Sequence, residues 1–178
     1  SYGIDFEKID LIDNNFDTEK IVERLAKKDI KLLEIQRSRG YSTRESLSIE
    51  KIENIIKEIR KVNKDVIIMV DNCYGEFVDE KEPVEVGADV MVGSLIKNLG
   101  GGIAPNGAYI VGRADLVELC AERLTSPGQG KEVGPSLGAN KGFLQGIYMA
   151  PSVVASSLKT AVFTAKMMEK LGYKPSPR

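Results

Sequence analysis

Apolar positions along the chain repeat with two different periods. Ile21, Val22 and Leu25 recur at helical spacing behind Asp17, a capping residue, which predicts a helix to about Lys28. Residues 4–12 before it are a short apolar stretch. Lys31 to Gln36 predicts a strand, followed by a polar loop, Arg37 to Ser46. Ser48 can cap a second helix, on which Ile52, Ile55, Ile56 and Ile59 share one face. Val66 to Val70 is a continuous apolar run of the kind expected of a strand buried on both faces; it stops at Asp71-Asn-Cys-Tyr-Gly75. Asp89 to Val92 and Ala108 to Val111 predict two more strands. Helices follow at about 113–124, 139–149 and 151–171, the last with Val154, Leu158, Ala161, Val162, Ala165 and Met168 along one face.

Strands alternating with helices predict an α/β fold: three layers, αβα, around a mostly parallel sheet. Ligands in such sheets sit beyond the carboxyl ends of the strands. Three loops meet that condition, 37–46, 71–77 and 93–106.

Composition narrows the chemistry. The 178 residues suffice for one domain with a full core, and 42% apolar with 29% charged residues is ordinary for a globular protein. The net charge of −1 shows no basic arm or patch, so nucleic-acid binding has no electrostatic support. No apolar run approaches the roughly 20 residues that span a bilayer, and no signal peptide is visible. Cys73 and Cys120 make neither a metal spacing nor a disulfide framework, so a reducing, cytoplasmic setting is expected. Histidine is absent, which removes Ser-His-Asp and Cys-His mechanisms and the usual zinc sites. Two glycine-rich stretches fail as nucleotide loops. Gly128-Gln-Gly-Lys131 has Thr125 where a P-loop needs Gly and Glu132 where it needs Ser or Thr, and Gly100 to Gly107 does not spell Gly-x-Gly-x-x-Gly.

One arrangement stands out. Asp71 ends a buried strand; the next buried strand ends in Gly93-Ser94; Lys97 follows three residues later, before Gly100-Gly-Gly102. Singly, Asp71 reads as a turn former, Lys97 as a solvated lysine and the glycines as a flexible turn. On consecutive strand ends they fit a site for pyridoxal 5′-phosphate. A carboxylate keeps the pyridine nitrogen protonated. A partly desolvated lysine of lowered pKa forms an imine with the aldehyde. A Ser hydroxyl and main-chain N–H groups bind phosphate, and glycines let the backbone pass close to the ring.

These motifs carry a resemblance. Val70-Asp-Asn72, Val86-Gly-Ala-Asp-Val90 and Ser94-x-x-Lys97-x-Leu99-Gly-Gly101 resemble the fold-type I enzymes of cysteine and methionine metabolism. Ile35-Gln-Arg-Ser-Arg-Gly-Tyr41, Gly93-Ser-Leu-Ile-Lys-Asn-Leu-Gly-Gly-Gly102 and Pro127-Gly-x-Gly-Lys-Glu-Val-Gly134 are similar to the aluminium-resistance, or methionine γ-lyase-like, branch. The resemblance implies the major domain of the aspartate aminotransferase-like fold over residues 1–170, lacking an upstream segment, with 171–178 starting the connection to a small C-terminal domain. It implies an internal aldimine at Lys97, Asp71 against the pyridinium nitrogen, and Ser94 on the phosphate. Ile96 stands where many relatives have a second phosphate-binding hydroxyl. Arg37 and Tyr41, with Arg39, become candidates for polar contacts to the cofactor, although a solvated loop accounts for them equally well.

The function so implied is a carbon–sulfur lyase acting on a sulfur amino acid, working as a homodimer or homotetramer, with this stretch inactive by itself. An aminotransferase or another amino-acid lyase would use the same lysine and aspartate, and a non-catalytic homologue linked to aluminium resistance would keep the fold as a scaffold.

Overall fold

The computed structural model describes residues 3–132, 134 and 138–176. Helix α1 (Thr18–Ala26) starts where Asp17 accepts a hydrogen bond from the Lys20 N–H at 3.1 Å. Helix α2 (Ile49–Val62) starts on Ser48, whose hydroxyl accepts from the Lys51 N–H at 3.3 Å. Both caps satisfy N–H groups that the first turn leaves free. Between them runs β1 (Leu32–Gln36); β2 (Ile67–Asp71) and β3 (Val90–Ser94) follow, then β4 (Ala108–Gly112). Helix α3 (Ala114–Leu124) and the long helix α4 (Asn140–Lys170) complete the order.

The sheet runs β1-β2-β3-β4, with the first two pairings parallel and β3–β4 antiparallel. The α/β fold with a mostly parallel sheet is therefore as the sequence predicted. The antiparallel return of β4 has a simple cause. Residues 95–107 carry only a short 3-10 turn, Asn98–Gly100, and no helix to bring the chain back to the starting edge.

The core lies on one face. Ile35, Ile68 and Val70 pack against Ile21 and Leu25 of α1 and Ile52, Ile55, Ile56 and Ile59 of α2. On the opposite face Leu32 and Ile110 are exposed, and Ile67, Met69 and Val92 are half-buried. Strand β2 thus alternates rather than being equally buried on both faces. Buried Asn63 closes this end of the core: its amide donates to the Leu25 carbonyl at 3.0 Å and accepts from the Val66 N–H at 3.0 Å. Asp89 lies just before β3, not in it. Its carboxylate accepts from the Ile68 N–H at 2.7 Å and pairs with Arg60 at 2.6 Å.

The apolar stretch 4–12 forms no named strand, and its end makes an isolated bridge, Ile12 to Asn15. Two other expectations change. The two helices expected at 139–149 and 151–171 are one. Pro151 removes a single intrahelical hydrogen bond, while Ala150 and Val154 are buried on either side of it, so packing carries the helix through. The face expected from Val154 to Met168 is also mostly exposed: burial falls instead on Gly146, Ala150 and Val154, and Leu158 and Val162 stay open.

Ile59→Ala, at a fully buried position, should cost about 2–5 kcal/mol of unfolding free energy in urea titrations, whereas Leu158→Ala should cost less than about 1 kcal/mol.

Candidate functional site

Side chains alternate across a strand, so Asp71 projects from the face opposite to buried Val70. Register pairs Asp71 with Val92, and Ser94 falls two residues further on the same face of β3. Asp71 Oδ1 accepts a hydrogen bond from the Cys73 N–H at 3.0 Å, which starts a tight turn. Tyr74 in that turn has φ +68°, left-handed backbone unusual for an aromatic residue. The neighbouring strand end is equally tight. Ser94 Oγ accepts from the Ile96 N–H at 3.3 Å, and the Ser94 carbonyl accepts from the Lys97 N–H at 3.3 Å.

The two turns meet. Lys97 Nζ stands over the Tyr74 ring, 4.8 Å from its centre. Burial alone would lower the Lys97 pKa, but Cys73, and then Tyr74 and Asp71, outweigh it and hold the ammonium above its ordinary value. The lowered value expected from the sequence is not found, because Nζ sits among electron-rich neighbours rather than in an apolar pocket. Burial, reinforced by Asp71, pushes the Cys73 thiol up against the opposing pull of Lys97.

Glycines seat the lysine loop. At Gly101, φ +58°, a Cβ would stand 2.3 Å from the Gly146 carbonyl oxygen, and a Cβ at Gly146 would stand as close to that of Gly100. Loop and helix α4 therefore touch backbone to backbone, which side chains at these positions would prevent.

Beneath the turns lies a buried polar network. Arg37, 3% exposed, donates to the Leu47 carbonyl at 3.3 Å, the Asn72 side-chain oxygen at 2.8 Å and the Gly75 carbonyl at 3.2 Å, and pairs with Asp79. Asn72, fully buried, donates to Glu82 at 2.8 Å. Glu76, 2% exposed, accepts from the Tyr109 hydroxyl at 2.7 Å. Its main-chain carbonyl accepts from the Asn98 amide at 3.1 Å, next to Lys97 in sequence. Among the described residues, Glu76 Oε2 has no hydrogen-bond partner. A cleft of about 240 Å³ bordered by Ser46, Ser48, Cys73 and Tyr74 is smaller than the roughly 300–1,000 Å³ of typical ligand sites and is not lined by Lys97.

The family model described as methionine gamma-lyase matches residues 1–178. The chain belongs to the methionine gamma-lyase family. The family comprises pyridoxal-phosphate-dependent proteins of fold type I, as the motifs around Lys97 implied. The chain is 47% identical, over 99% of its length, to the uncharacterized protein YnbB of Bacillus subtilis (strain 168), of which it covers 42%. Two solved structures are similar. One, from Clostridium acetobutylicum, is provisionally named a cystathionine beta-lyase involved in aluminum resistance; it shows 50% identity and a TM-score of 0.91 over 96% of this chain and 40% of its own. The other, from Clostridium novyi NT, is named a carbon-sulfur lyase involved in aluminum resistance; it shows 42% identity and a TM-score of 0.93 over 99% of this chain and 42% of its own. The chain thus spans about two fifths of the length of these relatives.

The donor set fits the cofactor that membership of the methionine gamma-lyase family implies. An amine able to bond an aldehyde, a carboxylate on the adjoining strand end, a hydroxyl and a glycine loop without side chains converge on one edge of the sheet. Two of the proposed contacts are placed elsewhere. Arg37 is a buried tie between loops, because a buried charge takes the nearest carboxylate and carbonyl partners. Tyr41 is fully exposed on its loop. Arg39, the third candidate, reaches Ser176 at 3.1 Å. Sequence reasoning passed over Tyr74, Glu76 and Tyr109. Gly93 was a usable signal for the last, since an interior strand glycine marks a close approach; a Cβ there would stand 2.5 Å from the Tyr109 ring.

Burial raises the Glu76 carboxyl above its ordinary 4.5; the Tyr109 hydroxyl opposes this and nearby Glu82 adds to it. Between 4.5 and the raised folded value the unfolded chain loses this proton and the folded chain keeps it. The contribution is therefore complete below 4.5 and is lost as pH rises through the folded value. Chemical denaturation of wild type and Glu76→Gln between pH 4.5 and 8 should show the variant gaining stability relative to wild type as pH rises; parallel profiles would refute a neutral Glu76 in the fold.

Proposed function

We propose that the chain is the cofactor-binding portion of a carbon–sulfur lyase that acts on a sulfur amino acid. The convergence of Lys97 and Asp71 through the Cys73–Tyr74 turn carries this reading. The names given to the two clostridial relatives support the reaction class. Pyridoxal phosphate, when bound, supplies an electron sink for the carbanion left when the substrate α-proton is removed.

The residues divide the work as follows. Lys97 would hold the cofactor through Nζ, and its amine would accept the substrate proton and pass it on. Asp71 would face the ring nitrogen and favour its protonated form. The Cys73 N–H orients that carboxylate from below. Ser94 presents its hydroxyl to the phosphate. Ile96 offers no second hydroxyl, so the phosphate would be held differently there than in relatives with a hydroxyl at this position.

Borohydride reduction of the full-length protein should fix the cofactor mass on the peptide that contains Lys97; recovery on another lysine rejects the assignment. Asp71→Ala should retain cofactor but lose about 10²–10³-fold in kcat, by loss of a preorganised charge, and an unchanged kcat would remove Asp71 from this role. A panel of sulfur amino acids should release a thiol and a 2-oxo acid, whereas a transaminated product would reassign the reaction.

A further inference from the structure

Tyr74 touches Lys97 and has no place in the assignments above. Its ring centre is 4.8 Å from Nζ, within the distance over which an ammonium is attracted to an aromatic face. The backbone that carries the ring is set independently of the lysine, while Tyr74 itself is 58% exposed. Asp71 Oδ1 fixes the start of the turn through the Cys73 N–H, and the next residue is locked from below. A Cβ at Gly75 would stand 2.4 Å from Arg37 Nη1 and 2.5 Å from Asn72 Oδ1. Tyr74 itself keeps φ +68°, where Gly is free of strain and an aromatic residue is not. A turn that needed only this backbone shape would be served better by Gly or Asn. The side chain therefore has a use that offsets the strain.

We propose that Tyr74 is a positioning residue for Lys97, its ring holding the ε-ammonium while the lysine is not bonded to the cofactor. This rests on the reading of Lys97 as the cofactor lysine. The step concerned is proton removal: the substrate Cα–H bond breaks, its electron pair stays on the substrate, and the proton forms a new N–H bond on neutral Lys97. The product is an ammonium, the species an aromatic face favours. The substrate C–S bond then breaks with its electron pair leaving on sulfur, the pair held on the substrate closes a carbon–carbon double bond, and transfer of the proton from Lys97 to that sulfur breaks the N–H bond, forms S–H and restores the amine. A ring under Nζ stabilises the intermediate charge and favours the lysine position beside it over the solvent-directed ones open to a half-buried side chain.

The test uses the full-length holoenzyme and two variants. Tyr74→Gly suits the left-handed backbone and deletes the ring; Tyr74→Phe keeps the ring and deletes the hydroxyl. Exchange of the substrate α-proton in deuterated water is followed by brief incubations from pH 7 to 12, with borohydride trapping run in parallel. Tyr74→Gly should keep cofactor on Lys97 and exchange at least about 3-fold more slowly on the alkaline plateau. The limb leading to that plateau should move down by about half a pH unit, because the ammonium has lost its partner. Tyr74→Phe should stay within about 2-fold of wild type with an unmoved limb. The proposal is overturned if Tyr74→Gly matches wild type, if Tyr74→Phe falls as far as Tyr74→Gly, or if Tyr74→Gly sheds the cofactor. Cofactor trapped on a lysine other than Lys97 in wild type overturns the reading of the site together with this inference; the other outcomes overturn this inference alone.

Discussion

A guanidinium shut away from water must be surrounded by acceptors, and the end of the sheet that carries the candidate site is organised around that requirement. Arg37 leaves β1 and enters the interior, where it meets Asn72, Gly75 and Asp79 of the loop after β2 and Leu47 of the segment before α2. Breaking such a buried set by removing one partner costs about 3–5 kcal/mol, since the remaining charge is stranded. Three segments distant in sequence are thereby held to one geometry. Asp71 lies one residue before Asn72, and Tyr74 one before Gly75, so the clamp also fixes the turn facing Lys97.

The lysine loop is fixed by a different force. Gly100 and Gly101 meet Gly146 of α4 through their backbones, with Ala150 and Val154 buried along the same line. Here close packing replaces charge pairing. The Asn98 amide joins the two systems by donating to the Glu76 carbonyl, and Glu76 in turn accepts from Tyr109 on β4. The carboxyl ends of β1, β2 and β3 and the amino end of antiparallel β4 are thus tied together below the proposed cofactor seat. Rigid loops at strand ends are the general means by which such sheets hold ligands.

Exposure on the other face gives a consistent picture. Leu32, Ile110, Leu158 and Val162 are open to solvent in a chain spanning about two fifths of its solved relatives. An apolar pattern records what a face can bury, while accessibility records only what the described residues cover. That difference explains why β2 alternates and why the long helix shows its predicted stripe to water.

The sequence by itself determined the local elements and the candidate residues for chemistry. Caps at Asp17 and Ser48, the isoleucine face of α2, the strands, and the order Asp71, Ser94, Lys97 depend on neighbours a few residues apart, and short-range periodicity reports them directly. Tertiary structure decided where polar groups go. Whether Arg37 reaches a ligand or closes a loop depends on Asn72 and Asp79, 35 and 42 residues away, and no spacing rule encodes that choice. The same holds for helix α4, carried through Pro151 by burial on both sides, and for Lys97. The motif singles it out, but the Tyr74 ring beneath it arises from the folding of two separate turns onto one edge of the sheet.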